Sequence, residues 1–232
     1  MTALCTIQAT DYVSLCKFAS TEETRFYLNG VCVERQNNQV WLVATDGHCL
    51  GAIRALDGEA ELSEAPVIVS SDKALLRLAK SKPAVRNTGR WISQYVDRVE
   101  VFDAVELSLD AESNSTRFPV ATLPLKPIDG TFPDWRRVFP HDAPASPTLK
   151  NGTFAAFNAD YYERFASPID KTSFLTVQPR GESAAVVLNS DQRFIGLFMP
   201  ARGAYDTHDI TSAVNMAMHG APLERPAESV AA

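Results

Sequence analysis

Trp41-Leu42-Val43-Ala44-Thr45-Asp46-Gly47-His48-Cys49-Leu50 decides how the rest of this chain is read. Trp41 to Ala44 is an apolar run of strand type, Asp46-Gly47 is a strong two-residue hairpin signal, and the apolar pattern resumes from Leu50 to Ile53. A hairpin with a polar corner is the plainest outcome. Just upstream, Thr24-Arg25-Phe26-Tyr27-Leu28-Asn29-Gly30-Val31-Cys32-Val33-Glu34 also reads as strand, so three consecutive strands are expected.

Working outward, residues 3–9 alternate as a strand, and Thr10-Asp11 is placed to cap a helix over 12–20 with Tyr12, Leu15, Cys16 and Ala19 on one face. Residues 1–56 thus form one β-α-β-β-β unit, and the acidic stretch 57–65 reads as a loop. The order recurs. A strand at 67–69 and a helix over 72–81, capped by Ser70-Ser71, precede strand candidates at 90–95, 98–102, 105–109 and 117–123, with a hairpin turn at 112–115. Pro124 and Pro127 should end that ladder. The repetition lies in the secondary structure, not in residue identity. His141 to Pro147, with prolines among small polar residues, makes 141–150 the best linker. A third unit follows: a strand at 152–157, a helix over 159–166 capped by Asn158, and strands at 174–177, 184–188 and 194–199. Residues 203–232 read as a tail with a short helix at 210–218.

With 45% hydrophobic and 22% charged residues, the composition is that of a folded domain with a core, not of a disordered or fibrous chain. No apolar run spans a bilayer, and the N-terminus lacks the basic and apolar regions of a signal peptide, so a cytoplasmic location without membrane contact is expected. Cys5, Cys16, Cys32 and Cys49 show no CxxC spacing and read as reduced, buried small hydrophobes. A net charge of −6 excludes nucleic-acid binding by the whole surface but leaves room for a local basic face. Thr45, Asp46 and His48 have no further His, Cys or carboxylate at ligand spacing, and no P-loop, dinucleotide fingerprint or nucleophile motif occurs. No catalytic site, metal or cofactor is expected.

Three stretches, in this order, resemble the bacterial sliding clamp, the DNA polymerase III beta subunit: Arg25 to Gly30 followed by Val43 to Leu50, then Gly130-Thr131-Phe132-Pro133-Asp134-Trp135-Arg136-Arg137-Val138-Phe139-Pro140, then Leu197-Phe198-Met199-Pro200-Ala201-Arg202. The resemblance covers residues 1–202. It implies an α+β DNA-clamp fold in which units 1–56 and 66–140 form one clamp domain like the family's middle domain. Unit 151–202 is similar to the second half of the last domain, and the family's first domain has no counterpart. Three units where domains need two should leave the third unit's sheet with unpaired edges.

By the same resemblance, Leu28, Thr45, Gly47, His48, Cys49, Leu50, Pro133, Arg137, Val138, Leu197, Met199, Pro200 and Arg202 should surround an apolar cleft that takes linear peptides. Cys49 stands where the family motif has Arg, and Ala201 where it has Met. For duplex DNA, Lys73, Arg77 and Lys80 recur on one face of the second helix, and Arg25, Phe26 and Tyr27 could add charge and stacking; a plain solvated face has the same pattern. The implied function is a non-enzymatic DNA sliding clamp and processivity factor that encircles duplex DNA. Its expected partners are a polymerase and other proteins with clamp-binding motifs, a clamp loader, and further copies in a homo-oligomer. The alternative is a clamp-derived binding protein that forms no ring and competes for those motifs.

Overall fold

The structure is a computed structural model in which residues 2–56, 60–63, 65–105, 117–139, 158–166, 175–180, 183–189 and 193–199 are described. The first unit comprises β1 (Cys5–Gln8), α1 (Ala9–Leu15), a 3-10 helix (Glu23–Leu28), β2 (Gly30–Gln36), β3 (Gln39–Thr45) and β4 (Cys49–Arg54). The 3-10 helix replaces the beginning of the strand expected from Thr24. Local hydrogen bonds decide this: Arg25 pairs with Glu22, the Asn29 backbone N–H donates to Phe26 O, and the Asn29 side chain donates to Glu22 O. Helix α1 also departs from expectation, starting directly from β1 at Ala9 without a side-chain cap. Asp11 lies inside its first turn and pairs with Arg193 of the third unit.

The acidic connector contains a short strand, β5 (Ala60–Leu62), which pairs with β1. The second unit follows as β6 (Val67–Ser70), α2 (Lys73–Lys80), β7 (Gly89–Gln94), β8 (Val99–Ala104), β9 (Phe118–Leu123) and a 3-10 helix (Trp135–Val138). Asp72, not Ser70 or Ser71, caps α2: its Oδ1 accepts from the backbone N–H groups of Ala74 and Leu75 at 2.8 and 3.1 Å. The Ser71 hydroxyl donates to Asn29 O instead. In the third unit are α3 (Ala159–Phe165), β10 (Leu175–Arg180), β11 (Ser183–Asn189) and β12 (Phe194–Phe198), and Asn158 caps α3 as its sequence indicates. The expected strands at 105–109 and 152–157, the turn at 112–115, the 141–150 linker and the 203–232 tail fall largely or wholly outside the described residues.

Two sheets result, in the orders β5-β1-β7-β8-β9 and β10-β11-β12-β4-β3-β2-β6. The first strand of each early unit lies in the other unit's sheet: β1 pairs with β7, and β6 pairs with β2. This exchange interleaves the strands of units one and two. Helices α1 and α2 pack together, and Tyr12, Leu15, Val31, Leu42, Leu75, Ile92 and Val99 from helices and both sheets share one buried core. Arg90 and Asp103 join the C-terminal end of α2 to β7 and β8. The guanidinium reaches Asp103 Oδ1 at 2.5 Å and the Leu78 and Lys82 carbonyls at 2.8 and 3.1 Å, while Asp103 Oδ2 accepts from Ala84 N–H. No helix among the described residues is long and apolar enough to cross a membrane.

The third unit does not stand alone, contrary to expectation for one of its sheet edges. Strand β12 pairs antiparallel with β4 over five residues, with Gly196 opposite Gly51 and Leu197 opposite Leu50. Both glycines are needed here. A Cβ on Gly51 would lie 2.9 Å from the Phe18 ring, and one on Gly196 only 2.3 Å from Phe165 Cε1. The two phenylalanines then meet edge to face, 5.0 Å between centroids. The junction is therefore close to self-symmetric, each unit contributing the last strand, its central glycine and one phenylalanine.

Candidate peptide cleft and basic helix face

Strand alternation divides the β4·β12 junction into two faces. Gly51, Ile53, Phe194 and Phe198 belong to the main core side with α1 and α3, whereas Val43, Leu50, Ala52, Leu197 and Trp135 form a second buried cluster on the other side. Trp41, Phe132, Phe139 and Ile195 pack against that second cluster. Trp135 is its centre, with ring centroids 5.6 Å from Trp41 and 5.8 Å from Phe139. Its Nε1 donates to Glu34 Oε1 at 2.8 Å, and Arg136 both pairs with Glu34 and lies over the indole. The 3-10 helix at Trp135–Val138 is thus fastened across the outer face of the sheet, beside the β3–β4 turn.

Some of the residues expected at the cleft lie at this floor. Leu50 and Leu197 are buried side by side, while Pro133, Arg137, Val138 and Met199 are exposed; Val138 is 54% and Met199 47% accessible. Met199 N–H donates to His48 O at 2.9 Å, which attaches the end of β12 to the turn. Leu28 is buried at the end of its 3-10 helix and is not part of the apolar cluster. Cys49 lies on the opposite side of the sheet from Leu50, as neighbours on a strand must, and belongs to the main core. Pro200 and Arg202 are outside the described residues.

The turn itself is fixed by its own side chains. Its tip is Gly47-His48, one residue later than Asp46-Gly47 suggested, and Gly47 takes φ +91°, which its missing Cβ permits. Asp46 Oδ1 accepts from both His48 N–H and Cys49 N–H at 2.8 Å. The Thr45 hydroxyl accepts from Gly47 N–H and donates to Cys49 O, so it is committed inside the turn. Asp46 Oδ2 accepts from Arg164 Nη1 of α3 at 2.5 Å. Burial pushes the Asp46 carboxyl up, but the Arg164 guanidinium and the two amides outweigh it and hold the group below the usual carboxylate range. Burial likewise pushes the Cys49 thiol up to about 12, so it is neutral and a poor nucleophile near neutral pH. All four cysteines are free.

The basic residues separate into two places. Lys73, Arg77 and Lys80 are exposed along α2, opposite buried Leu75 and Ala79, and form no ion pair among the described residues. Arg25 instead belongs to the cleft side: it is held by two bonds to Glu22, and its Nη1 lies 2.5 Å from where a Cβ of Gly47 would be. Phe26 is exposed there, and Tyr27 packs against Gly130. Sequence reading missed Trp135 as the anchor of the floor and Arg164 as a contact of the turn. A signal existed for the third unit's docking, since Asp11-Tyr12 with Phe18-Ala19-Ser20 recurs as Asp160-Tyr161 with Phe165-Ala166-Ser167.

Units that exchange first strands, helices packed together in the middle, and last strands joined between units define a DNA-clamp fold. Residues 8–89 match the family model for the central domain of the DNA polymerase III beta subunit. The chain is 33% identical to the beta sliding clamp of Caulobacter vibrioides over 140 residues, 59% of this chain and 33% of that protein. It is 32% identical to the Vibrio cholerae clamp over 133 residues, 57% of this chain and 31% of the relative. Among solved structures, a Pseudomonas aeruginosa DNA polymerase sliding clamp aligns with TM-score 0.58 at 18% identity, covering 88% of this chain and 67% of that one. The Caulobacter crescentus clamp aligns with TM-score 0.56 at 21% identity, covering 88% and 66%. The chain is thus similar in fold to bacterial sliding clamps and, over part of its length, similar in sequence to the beta sliding clamp. Its matched sequence spans about a third of the length of the curated relatives.

Proposed function

We propose that this protein is a non-catalytic replication accessory of the clamp type, cytoplasmic, which receives short linear peptides from a polymerase and other partners in the cleft over Leu50, Leu197 and Trp135. The observation that carries this reading is the buried apolar floor where β4 and β12 join, with Met199 exposed at the end of β12 and Val138 exposed in the same short helix as Trp135. An apolar trough with a few polar groups at its rim suits an extended chain, and Met adapts to different side chains. The probe is a fluorescein-labelled peptide with a Leu-Phe core. Micromolar binding, about −8 kcal/mol, is expected for a short motif that loses ordering entropy. Val138→Ala with Met199→Ala should weaken it at least tenfold without changing the unfolding midpoint; an unchanged titration removes the cleft from the account.

In the clamp reading, α2 faces duplex DNA with Lys73, Arg77 and Lys80, and copies of the chain close a ring that a loader opens. A tether of this kind raises the effective concentration of the polymerase at its template, so weak peptide affinity suffices. A second reading, a peptide competitor without a ring, is favoured by β9, which is an edge strand of its sheet among the described residues. That strand carries Pro119 beside a register irregularity against β8, a device that discourages further pairing. Light scattering together with retention on closed circular against linear DNA separates the two. A closed oligomer trapped on circles supports the clamp, and a strictly monomeric mass without retention supports the competitor.

A further inference from the structure

We infer that Arg164 is a positioning residue of the peptide cleft: a guanidinium from the third unit that holds the 46–49 turn in the shape its rim requires. This rests on the peptide-cleft reading above. The turn presents Gly47 and His48 at the rim, yet one of its main external supports is the α3 side chain. Asp46 is the node, with one carboxylate oxygen occupied by the His48 and Cys49 amides and the other by Arg164 at 2.5 Å. Arg164 also lies near the Cys49 side chain, and its guanidinium carbon stands 5.2 Å from the centre of the Tyr161 ring. On the other flank Arg25, pinned by Glu22, closes against Gly47.

The position beside Cys49 gives the arrangement its meaning. The related motif has an arginine at residue 49, and here that place holds a buried thiol, with the cation arriving instead from another unit. A consequence follows that a locally supplied arginine would not have. Docking of the third unit adds to the order that the turn's own hydrogen bonds provide, so β4·β12 pairing and peptide affinity are coupled in part through this ion pair.

Four proteins test this: the full chain, Arg164→Ala, Arg164→Lys, and Arg164→Ala combined with Cys49→Arg. Amide hydrogen exchange is read at His48 and Cys49, and affinity with the labelled Leu-Phe peptide. Arg164→Ala should accelerate exchange at those two amides and weaken the peptide about tenfold, the scale of one charge-assisted hydrogen bond. Arg164→Lys should fall between the full chain and Arg164→Ala, since it keeps the charge but not the planar guanidinium, and Cys49→Arg should return most of what Arg164→Ala removes. Unchanged exchange at His48 and Cys49 in Arg164→Ala overturns the inference whether or not any peptide binds. Unchanged affinity in a protein that does bind the peptide overturns it equally. Failure of the full chain to bind peptide counts against the cleft, while the exchange result still decides the role of Arg164 in the turn. If Arg164→Ala does not fold, Arg164→Gln carries the comparison: faster exchange at His48 and Cys49 supports the inference, and exchange like the full chain's overturns it.

Discussion

Replacing Gly196 by alanine should loosen the junction between β12 and β4 while leaving units one and two folded. The added methyl would lie 2.3 Å from Phe165 Cε1, and 3.0 Å from both Leu50 O and Phe194 Cζ. Phe165 has little room to withdraw, being buried with ring centroids 5.0 Å from Phe18, 5.9 Å from Phe194 and 5.3 Å from Phe198. Leu50 O is backbone of the paired strand and cannot yield separately. Overpacking of this kind costs about 1–3 kcal/mol, and two unyielding neighbours place this site near the upper end. The usual gain from removing a strand glycine offsets only about 0.5–1 kcal/mol, leaving a net loss of about 2 kcal/mol. Phe165→Ala alone should cost about 3–5 kcal/mol through the cavity it leaves. Once that ring is gone, Gly196→Ala meets only the carbonyl and Phe194, so the two losses should fall short of additivity by about 1–2 kcal/mol. Urea titration followed by tryptophan fluorescence reads this. Trp41 and Trp135 lie over the strands concerned, whereas Trp91 lies in the other sheet. Full stability of Gly196→Ala, or strict additivity with Phe165→Ala, would refute the packing argument.

Acid should undo the turn before the core. Because the folded Asp46 carboxyl is held below its ordinary value, its contribution is fully present above the unfolded carboxylate range and is lost as pH falls through the depressed folded value. Arg164, Tyr161, Arg25 and Glu22 are the charged and titratable neighbours that shape this response. Protection of the His48 and Cys49 amides, taken relative to their intrinsic exchange rates at each pH, should fall with acidification, and Asp46→Asn should flatten that dependence; an unaltered profile in the variant contradicts the assignment. Elsewhere, Asp103→Ala should cost about 3–5 kcal/mol by leaving the buried Arg90 guanidinium without its anion. Pairing it with Arg90→Met should recover part of that loss in urea titration, and no recovery would show that the carbonyl contacts of Arg90 matter more than its charge.

Much of the fold was legible because it is written in local periodicity. The alternation around Trp41 to Ile53 gives β3 and β4, Asn158 gives the start of α3, and the amphipathic spacing of Leu75 and Ala79 against Lys73, Arg77 and Lys80 gives α2. The Asp46-Gly47 signal located the corner to within one residue. Where local polar contacts compete with propensity, reading failed. The Thr24 to Leu28 stretch looks like strand and is a 3-10 helix, and Thr10-Asp11 looks like a cap although Asp11 serves an ion pair with Arg193 far along the chain.

What the sequence alone determined is therefore the order and type of most described elements. Which residues share a face was decided only by tertiary structure. Cys49 and Leu50 are adjacent in sequence, yet one faces the α3 side and the other the Trp135 floor, because the sheet has apolar cover on both sides. The pairing of β12 with β4 depends on two glycines 145 positions apart that face each other only when Phe18 and Phe165 fill the space beside them. Arg164 reaches Asp46 by the same docking, across 118 positions. Periodicity carries no record of such meetings, since each is set by the shape left when two units close on one another, and a single residue's neighbours in the chain do not specify that shape.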